Sequence, residues 1–285
     1  MDRVNIDLWT FDVGAEMSSP EACAAHMVDR TLASWDDGAD IVVFPEFAWM
    51  ALERFVEGPQ GTKAVARLFW DDLWPGVRDA LSRPDKAVLL GSAPFIDDAG
   101  ALRNRAPILS EGTVIHQDKI HLTPWENEFT GGGPLTIWSF RGLRLATVIC
   151  LDIEIPELAA ALRGRGVDIL LIPSATETEL GIERVHRCAS ARAVELGCHV
   201  AVSQLVGGIE SELIDENVGE LAVYSPSQSG FLPSARQDAG ETHRDGFHRK
   251  SVTLDIAALR RMRTIAGETN PSLLSPSPVI VSDIA

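Results

Sequence analysis

Cationic side chains are scarce in this 285-residue chain: 25 lysines and arginines stand against 41 aspartates and glutamates, a formal charge of −16. Such a surface repels phosphate backbones, so nucleic acid is not an expected partner, and the acidity suits solubility. Cysteine is scarce too. Its four copies, Cys23, Cys150, Cys188 and Cys198, fit neither a disulfide framework nor a metal-ligand spacing. No apolar run approaches the length of a membrane span, and the opening Met1-Asp-Arg-Val-Asn-Ile carries no signal-peptide pattern. The expectation is a reduced, cytoplasmic protein with no membrane contact. Low-complexity linkers and short-period repeats are also missing, so a single large domain is expected. What is present, 45% hydrophobic and 23% charged residues, is enough for a full core.

Strand and helix patterns alternate along the chain, which places it in the α/β class. Val4 to Phe11 alternates apolar and polar residues as a strand does, and a helix from Ser18–Pro20 to about Trp35 follows. Ile41 to Phe44 is a short apolar strand, and Glu46 stands directly after it. Gly61 to Leu81 reads as one long helix, and Ala87 to Pro94 as a buried strand. Arg103 to Leu109 with Gly112 to Gln117 reads as a hairpin, as does Leu135 to Phe140 with Leu143 to Ile149. Further on, Pro156 to Arg163 is helical, Val167 to Pro173 a strand, Ile182 to Leu196 a helix and Cys198 to Leu205 a strand. Weaker strands at Leu221 to Tyr224 and Val252 to Ile256 precede a helix over Ala257 to Arg263.

Cys150 lies where an apolar strand hands over to a helix opened by Pro156. Taken alone, that stretch reads as a buried core thiol. Two residues elsewhere change the reading. Glu46 and Lys119 each stand just past an apolar strand, as Cys150 does. Strand ends of one sheet can converge at its carboxyl edge, where open α/β folds place their chemistry. A thiol attacks only as thiolate, and it needs a base and a nearby cation to become one. Glu46 as base, Lys119 as cation and the Leu151 backbone N–H as a second oxyanion donor would supply them.

The stretches Phe44-Pro-Glu46, Asp118-Lys119-Ile-His-Leu and Val148-Ile-Cys150-Leu-Asp-Ile-Glu-Ile-Pro156-Glu157 resemble the three motifs of the nitrilase, or carbon–nitrogen hydrolase, superfamily. Ala191-Arg192-Ala-Val-Glu195 resembles that group's Arg-Ala-x-Glu helix, read as structural. The resemblance runs from Val4 to about Ile256. It implies a four-layer α-β-β-α sandwich and a homodimer or higher homo-oligomer, with no metal and no organic cofactor. It also implies hydrolysis of a non-peptide carbon–nitrogen bond through a thioester, with a small amide as substrate and a nitrile or N-carbamoyl compound as variants. Glu126, with Glu128 behind it, is the candidate for the accessory glutamate that orients substrate. Residues 1–270 are expected to form the catalytic domain, and the Ser/Pro-rich 271–285 an arm at a subunit interface.

Trp125, Leu151 and Thr176 complete the expected substrate contacts, with Trp49 beside them, and Trp138 is expected in the core. Leu151 and Glu154 depart from the family pattern, and the acidic stretch Ile209 to Gly219 has no counterpart in it. A Cys/His pairing would draw on His116, His121 or His186, but the apolar strand context favours Glu and Lys, and His121 reads as a hydrogen-bonded structural residue. His186 and Cys188, two apart on a helix, face different sides and make no metal site. Gly131-Gly-Gly lacks the Lys-Ser/Thr of a phosphate loop. Two other functions remain open at this level: acyl transfer to an acceptor other than water, and a catalytically silent scaffold.

Overall fold

The computed structural model describes residues 2–56, 61–228, 230–231 and 241–264. The expected boundary at residue 270 and the arm over 271–285 lie outside the described residues. In chain order the elements are β1 (Arg3–Trp9), β2 (Phe11–Asp12), α1 (Pro20–Asp36), β3 (Ile41–Phe44), α2 (Gly61–Arg67), α3 (Trp74–Leu81), β4 (Ala87–Leu90), β5 (Ala93–Ile96), β6 (Leu102–Ser110) and β7 (Thr113–Asp118). There follow β8 (Ile137–Phe140), β9 (Leu143–Thr147), α4 (Pro156–Leu162), β10 (Ile169–Ser174), α5 (Glu179–Leu196), β11 (His199–Val206), β12 (Ala222–Tyr224), β13 (Arg249–Asp255) and α6 (Ile256–Met262).

Local chemistry explains the boundaries. Ser19 caps α1 by accepting from the Ala22 N–H at 3.2 Å, with Pro20 in the first turn. Thr178 caps α5 in the same way, and Gly197, at a φ of 58°, ends it in the left-handed region. The expected helix over 61–81 is present, but a π-helical stretch, Leu68–Leu73, joins α2 to α3. The single strand expected over 87–94 is two. Gly91 divides it at a φ of 70°, and a Cβ there would lie 2.3 Å from the Pro45 carbonyl oxygen. That close approach sets the backbone just before Glu46.

Among the described residues the strands form two sheets, of seven and six strands. In the first, β13, β1, β3, β4 and β6 lie side by side; β5 and β7 also pair with β6. β1, β3 and β4 run parallel. The second has the order β12-β11-β10-β9-β8, with β9, β10 and β11 parallel and β2 added to β11. The chain therefore leaves the first sheet after Trp9 and joins the second at Phe11.

The apolar residues sort into three packed groups, which makes the architecture a four-layer α-β-β-α sandwich. One group, including Met27, Trp35, Val65, Phe69 and Leu81, packs α1, α2 and α3 on the outer face of the first sheet. A second, including Ile6, Val43, Ile108, Leu145, Leu171 and Ala201, lies between the sheets. The third, including Leu170, Val185, Ala189 and Val202, packs α4 and α5 on the second sheet. Trp138 lies in the middle group as expected. Trp49 is a core residue: it is buried against Phe69, and its indole N–H donates to the Leu90 carbonyl at 2.8 Å.

Candidate active site

Glu46, Lys119 and Cys150 come from distant parts of the chain and meet in one cavity, but they do not come from one sheet as the sequence reading supposed. Glu46 follows β3 and Lys119 follows β7, both in the first sheet; Cys150 follows β9 in the second. The cavity sits on the seam between the two. It has a volume of about 150 Å³ and is lined by these three residues with Phe47, Thr123, Trp125, Glu126, Leu151, Ala175 and Thr176, among others.

Two backbone bends present the groups. Cys150 has a φ of 47° and starts a 3₁₀ turn, Cys150–Glu154; Phe47 has a φ of 56° and precedes another. A non-glycine residue in the left-handed region costs about 1–3 kcal/mol and persists only where the surroundings enforce it. Here the Phe47 N–H donates to Ser92 Oγ at 2.9 Å. Asp152 holds the cysteine turn against the lysine strand. Its carboxylate accepts from the Ile120 N–H at 3.0 Å, the His121 N–H at 2.7 Å and His121 Nδ1 at 2.9 Å. His121 is thus hydrogen-bonded, as expected. Arg192 on α5 donates to the Ile153 carbonyl at 3.3 Å and pairs with Glu195 at 2.9 Å, so it braces the same turn from behind.

Lys119 Nζ donates to Glu46 Oε1 at 2.8 Å and to Glu126 Oε2 at 2.7 Å. All three side chains are 1% exposed, so this charge cluster is out of water. Glu126 also accepts from the Thr123 N–H and hydroxyl at 2.8 and 3.1 Å. Its carboxylate is therefore committed to Lys119 and its own loop. Glu128 turns away to Thr62 Oγ1, 2.5 Å distant, in a neighbouring groove. Glu46 Oε2 accepts from the Ala175 N–H at 3.0 Å. The Cys150 thiol lies 3.4 Å from the Ala175 carbonyl and within hydrogen-bonding reach of the Glu46 carboxylate.

Burial dominates the electrostatics. It pushes Glu46 above the usual glutamate range, against the pull of Lys119. It also pushes the Cys150 thiol well above its ordinary value, and the negative charge of Glu46 adds to the effect. Burial alone would lower Lys119, but Glu46, Cys150 and Glu126 outweigh it and hold the ammonium charged. The thiol and the Glu46 carboxyl, both holding protons more tightly than usual, therefore face each other out of water. Passing the proton from sulfur to Glu46 leaves the site's net charge unchanged, whereas losing it to solvent would add a buried negative charge.

One participant was not foreseen. Asn104, in β6, is 1% exposed and donates through Nδ2 to Glu46 Oε1 at 2.8 Å and Glu126 Oε1 at 3.1 Å. The reverse amide orientation would set an oxygen against two carboxylates, so the assignment is chemically fixed. Asn104 lies beneath the carboxylates that Lys119 bridges, and its only sequence signal was a polar residue inside a strand. Replacing Asn104 with Leu is expected to lower stability by about 2–3 kcal/mol, since it leaves two buried carboxylates short of a donor. Thermal unfolding measures that loss, and an unchanged midpoint would contradict it.

The remaining expected contacts divide. Leu151 and Thr176 line the cavity, as does the family-atypical Glu154, whose carboxylate pairs with Arg184 at 3.3 Å. Thr176 is buried, and its hydroxyl is spent on the Val218 carbonyl. Trp125 is 67% exposed and stands between the cavity and the adjoining groove. Among the described residues no group of three or more His, Cys, Asp or Glu could hold a metal ion. His186 instead bonds Tyr224 and Gln204.

The sequence model of the carbon-nitrogen hydrolase family matches residues 14–232. The chain belongs to this family. Among carbon-nitrogen hydrolase relatives, it is 30% identical over 235 residues to the probable hydrolase YhcX of Bacillus subtilis, covering 80% of this chain but 45% of that protein. It is 30% identical over 205 residues to an (R)-stereoselective amidase of a Pseudomonas species, covering 70% of this chain and 72% of the amidase. In three dimensions it resembles XC1258 of Xanthomonas campestris, described as a CN-hydrolase superfamily protein. The TM-score is 0.72 at 20% identity, over 99% of this chain and 100% of the other. An amidase from a Nesterenkonia species gives 0.65 at 22% identity, over 90% and 92% of the two chains. Among the described residues no helix is long and apolar enough to cross a membrane.

Proposed function

We propose that the protein hydrolyses a small non-peptide amide through a thioester on Cys150, with Glu46 as general base and Lys119 as oxyanion stabiliser. The observation that carries this reading is the buried Lys119 ammonium, fixed by two carboxylates, one of which also faces the thiol. In the first half-reaction Sγ attacks the amide carbon while Glu46 takes its proton. Lys119 and the Leu151 N–H receive the developing oxyanion. Collapse breaks the carbon–nitrogen bond, and Glu46 returns the proton to the departing nitrogen, releasing ammonia or an amine. In the second half-reaction Glu46 takes a proton from water as its oxygen attacks the thioester. The acid leaves and the thiol regains its proton. Glu126 and Asn104 keep Lys119 and Glu46 in register throughout.

A cavity of about 150 Å³ suits a small acyl group. Two relatives bear amidase in their names, which supports an amide ahead of a nitrile. A panel of amides, N-carbamoyl amino acids and nitriles, scored by ammonia release, tests the assignment; silence across the panel would remove it.

The surroundings also speak to substrate charge. Besides the cluster itself, the cavity rim carries Glu154 and Glu177 against Arg184, which is already paired. The adjoining groove carries Glu53, Glu128, Glu210 and Glu212. An amide bearing a carboxylate is repelled there. Its kcat/KM is expected to fall about tenfold or more below that of a neutral isostere, and the gap should narrow as salt rises. Equal rates for the two, at low and high salt alike, would show that the rim does not discriminate.

A further inference from the structure

The Ala175 backbone touches both reacting groups, giving its N–H to Glu46 and taking the Cys150 thiol on its carbonyl, which belongs to the peptide shared with Thr176. What holds that peptide is a buried polar chain behind the cavity, and the direction of each of its hydrogen bonds can be worked out. The Glu220 backbone N–H, which can only donate, points at Gln204 Oε1 at 2.9 Å. That oxygen is thus the acceptor end of the amide, and His186 Nε2, also 2.9 Å from it, must carry a proton. The other end, Gln204 Nε2, donates to Thr176 Oγ1 at 3.2 Å. The Thr176 hydroxyl must then donate onward to the Val218 carbonyl at 2.8 Å, while the Val218 N–H returns 2.8 Å to the Thr176 carbonyl. Gln204 is 0% and His186 1% exposed, so water does not compete for these bonds.

We infer that Gln204 is a positioning residue of the catalytic site: by orienting Thr176 it fixes the neighbouring Ala175 peptide between Glu46 and Cys150. His186 acts one step further back, holding the glutamine amide in the only orientation that works. The chain belongs to the second sheet and α5, whereas Glu46 belongs to the first sheet. Gln204 thereby sets the distance between base and nucleophile across the seam. The inference rests on the proposed roles of Glu46 and Cys150.

Two isosteric changes break the chain from opposite ends. Gln204→Glu sets an oxygen against Thr176 Oγ1 in place of a donor, and Thr176→Val removes the hydroxyl; Thr176→Ser keeps it. The readout is the rate at which iodoacetamide alkylates Cys150, followed against pH by peptide mass spectrometry, with kcat on a small amide measured alongside. Both disruptive variants are expected to slow alkylation and kcat about tenfold or more, as misplacement of a base does. Their acid limb should also move to higher pH. Without the Ala175 donor, Glu46 keeps its proton longer, while Lys119, Glu126 and Cys150 still face it as before. Thr176→Ser, which keeps the hydroxyl but trims the cavity lining, should stay well above Thr176→Val in rate and keep its acid limb nearer the wild-type position. Alkylation of Thr176→Val at the wild-type rate and pH dependence, or a Thr176→Ser variant as slow as Thr176→Val, overturns the inference. A wild-type protein that turns over no amide would instead remove the amidase reading, and the alkylation profiles would still decide the role of Gln204.

Discussion

Replacing Lys119 with Met is expected to cost both the chemistry and about 3–5 kcal/mol of stability, because it leaves two buried carboxylates facing each other without their cation. Glu46 Oε1 and Glu126 Oε2 each lie within 2.8 Å of the ammonium nitrogen, at 2.8 and 2.7 Å, and neither side chain reaches water. Asn104 and the Thr123 donors remain, but none of them carries charge. The loss should depend on pH, and its sign follows from burial. A carboxyl whose folded-state affinity for protons is raised favours the folded state most at low pH, and that advantage disappears as pH rises through its folded pKa. Glu46 is already raised in the intact protein; without Lys119 it rises further. The melting difference between Lys119→Met and the native protein should therefore be small near pH 5 and wide near pH 8. A difference that stays constant over that range would mean the carboxylates are not the cause. Turnover should fall on the order of 10²–10³-fold, as when a transition-state donor is removed.

The Cys150→Ala substitution should behave in the opposite way, losing chemistry and keeping the fold. Ammonia release is expected to drop on the order of 10⁴-fold or more, since no other group replaces the nucleophile. Stability should change by about 1 kcal/mol, the scale of one small buried group. The side chain's polar contacts are to the Ala175 carbonyl and the Glu46 carboxyl, and Ala accepts the same backbone bend at the same strain. Ammonia assay and thermal unfolding of one preparation separate the two effects. Native turnover in this variant would discard the thioester mechanism outright.

The α/β class was legible because apolar strands of parallel sheets are continuous runs, as in Ile41–Phe44 and Ile169–Ser174, whereas the four layers followed only from the resemblance to the superfamily. The convergence of Glu46 and Cys150 was legible for a related reason, since each ends such a run with a reactive group; Lys119 instead follows β7, whose Thr-Val-Ile-His-Gln-Asp is largely exposed. Which sheet each strand joins was not legible, because pairing partners lie far apart in sequence and both sheets use the same residue types. Asn104 and Gln204 escaped notice for a different reason. Each is a polar residue inside a strand, and only the buried acceptors around it reveal its task. Trp49 misled in the other direction, since proximity in sequence to Glu46 says nothing about which side of the 3₁₀ turn its ring takes. Likewise, no residue type announces the π-helical stretch between α2 and α3, where Phe69 and Trp70 meet edge to face with centroids 4.9 Å apart.

Glu46 and Lys119 hang from one sheet and Cys150 from the other, so the distance between carboxyl and thiol is a property of the filling between them. Ile6, Val43, Leu145 and Ala201 do not line the cavity, yet they belong to the same packed layer as Cys150 and set how far apart the two slabs stand. Methyl groups in that layer are thus a tuning screw for the proposed reaction. Adding or deleting one there shifts the gap across which a proton must jump, without touching any polar group.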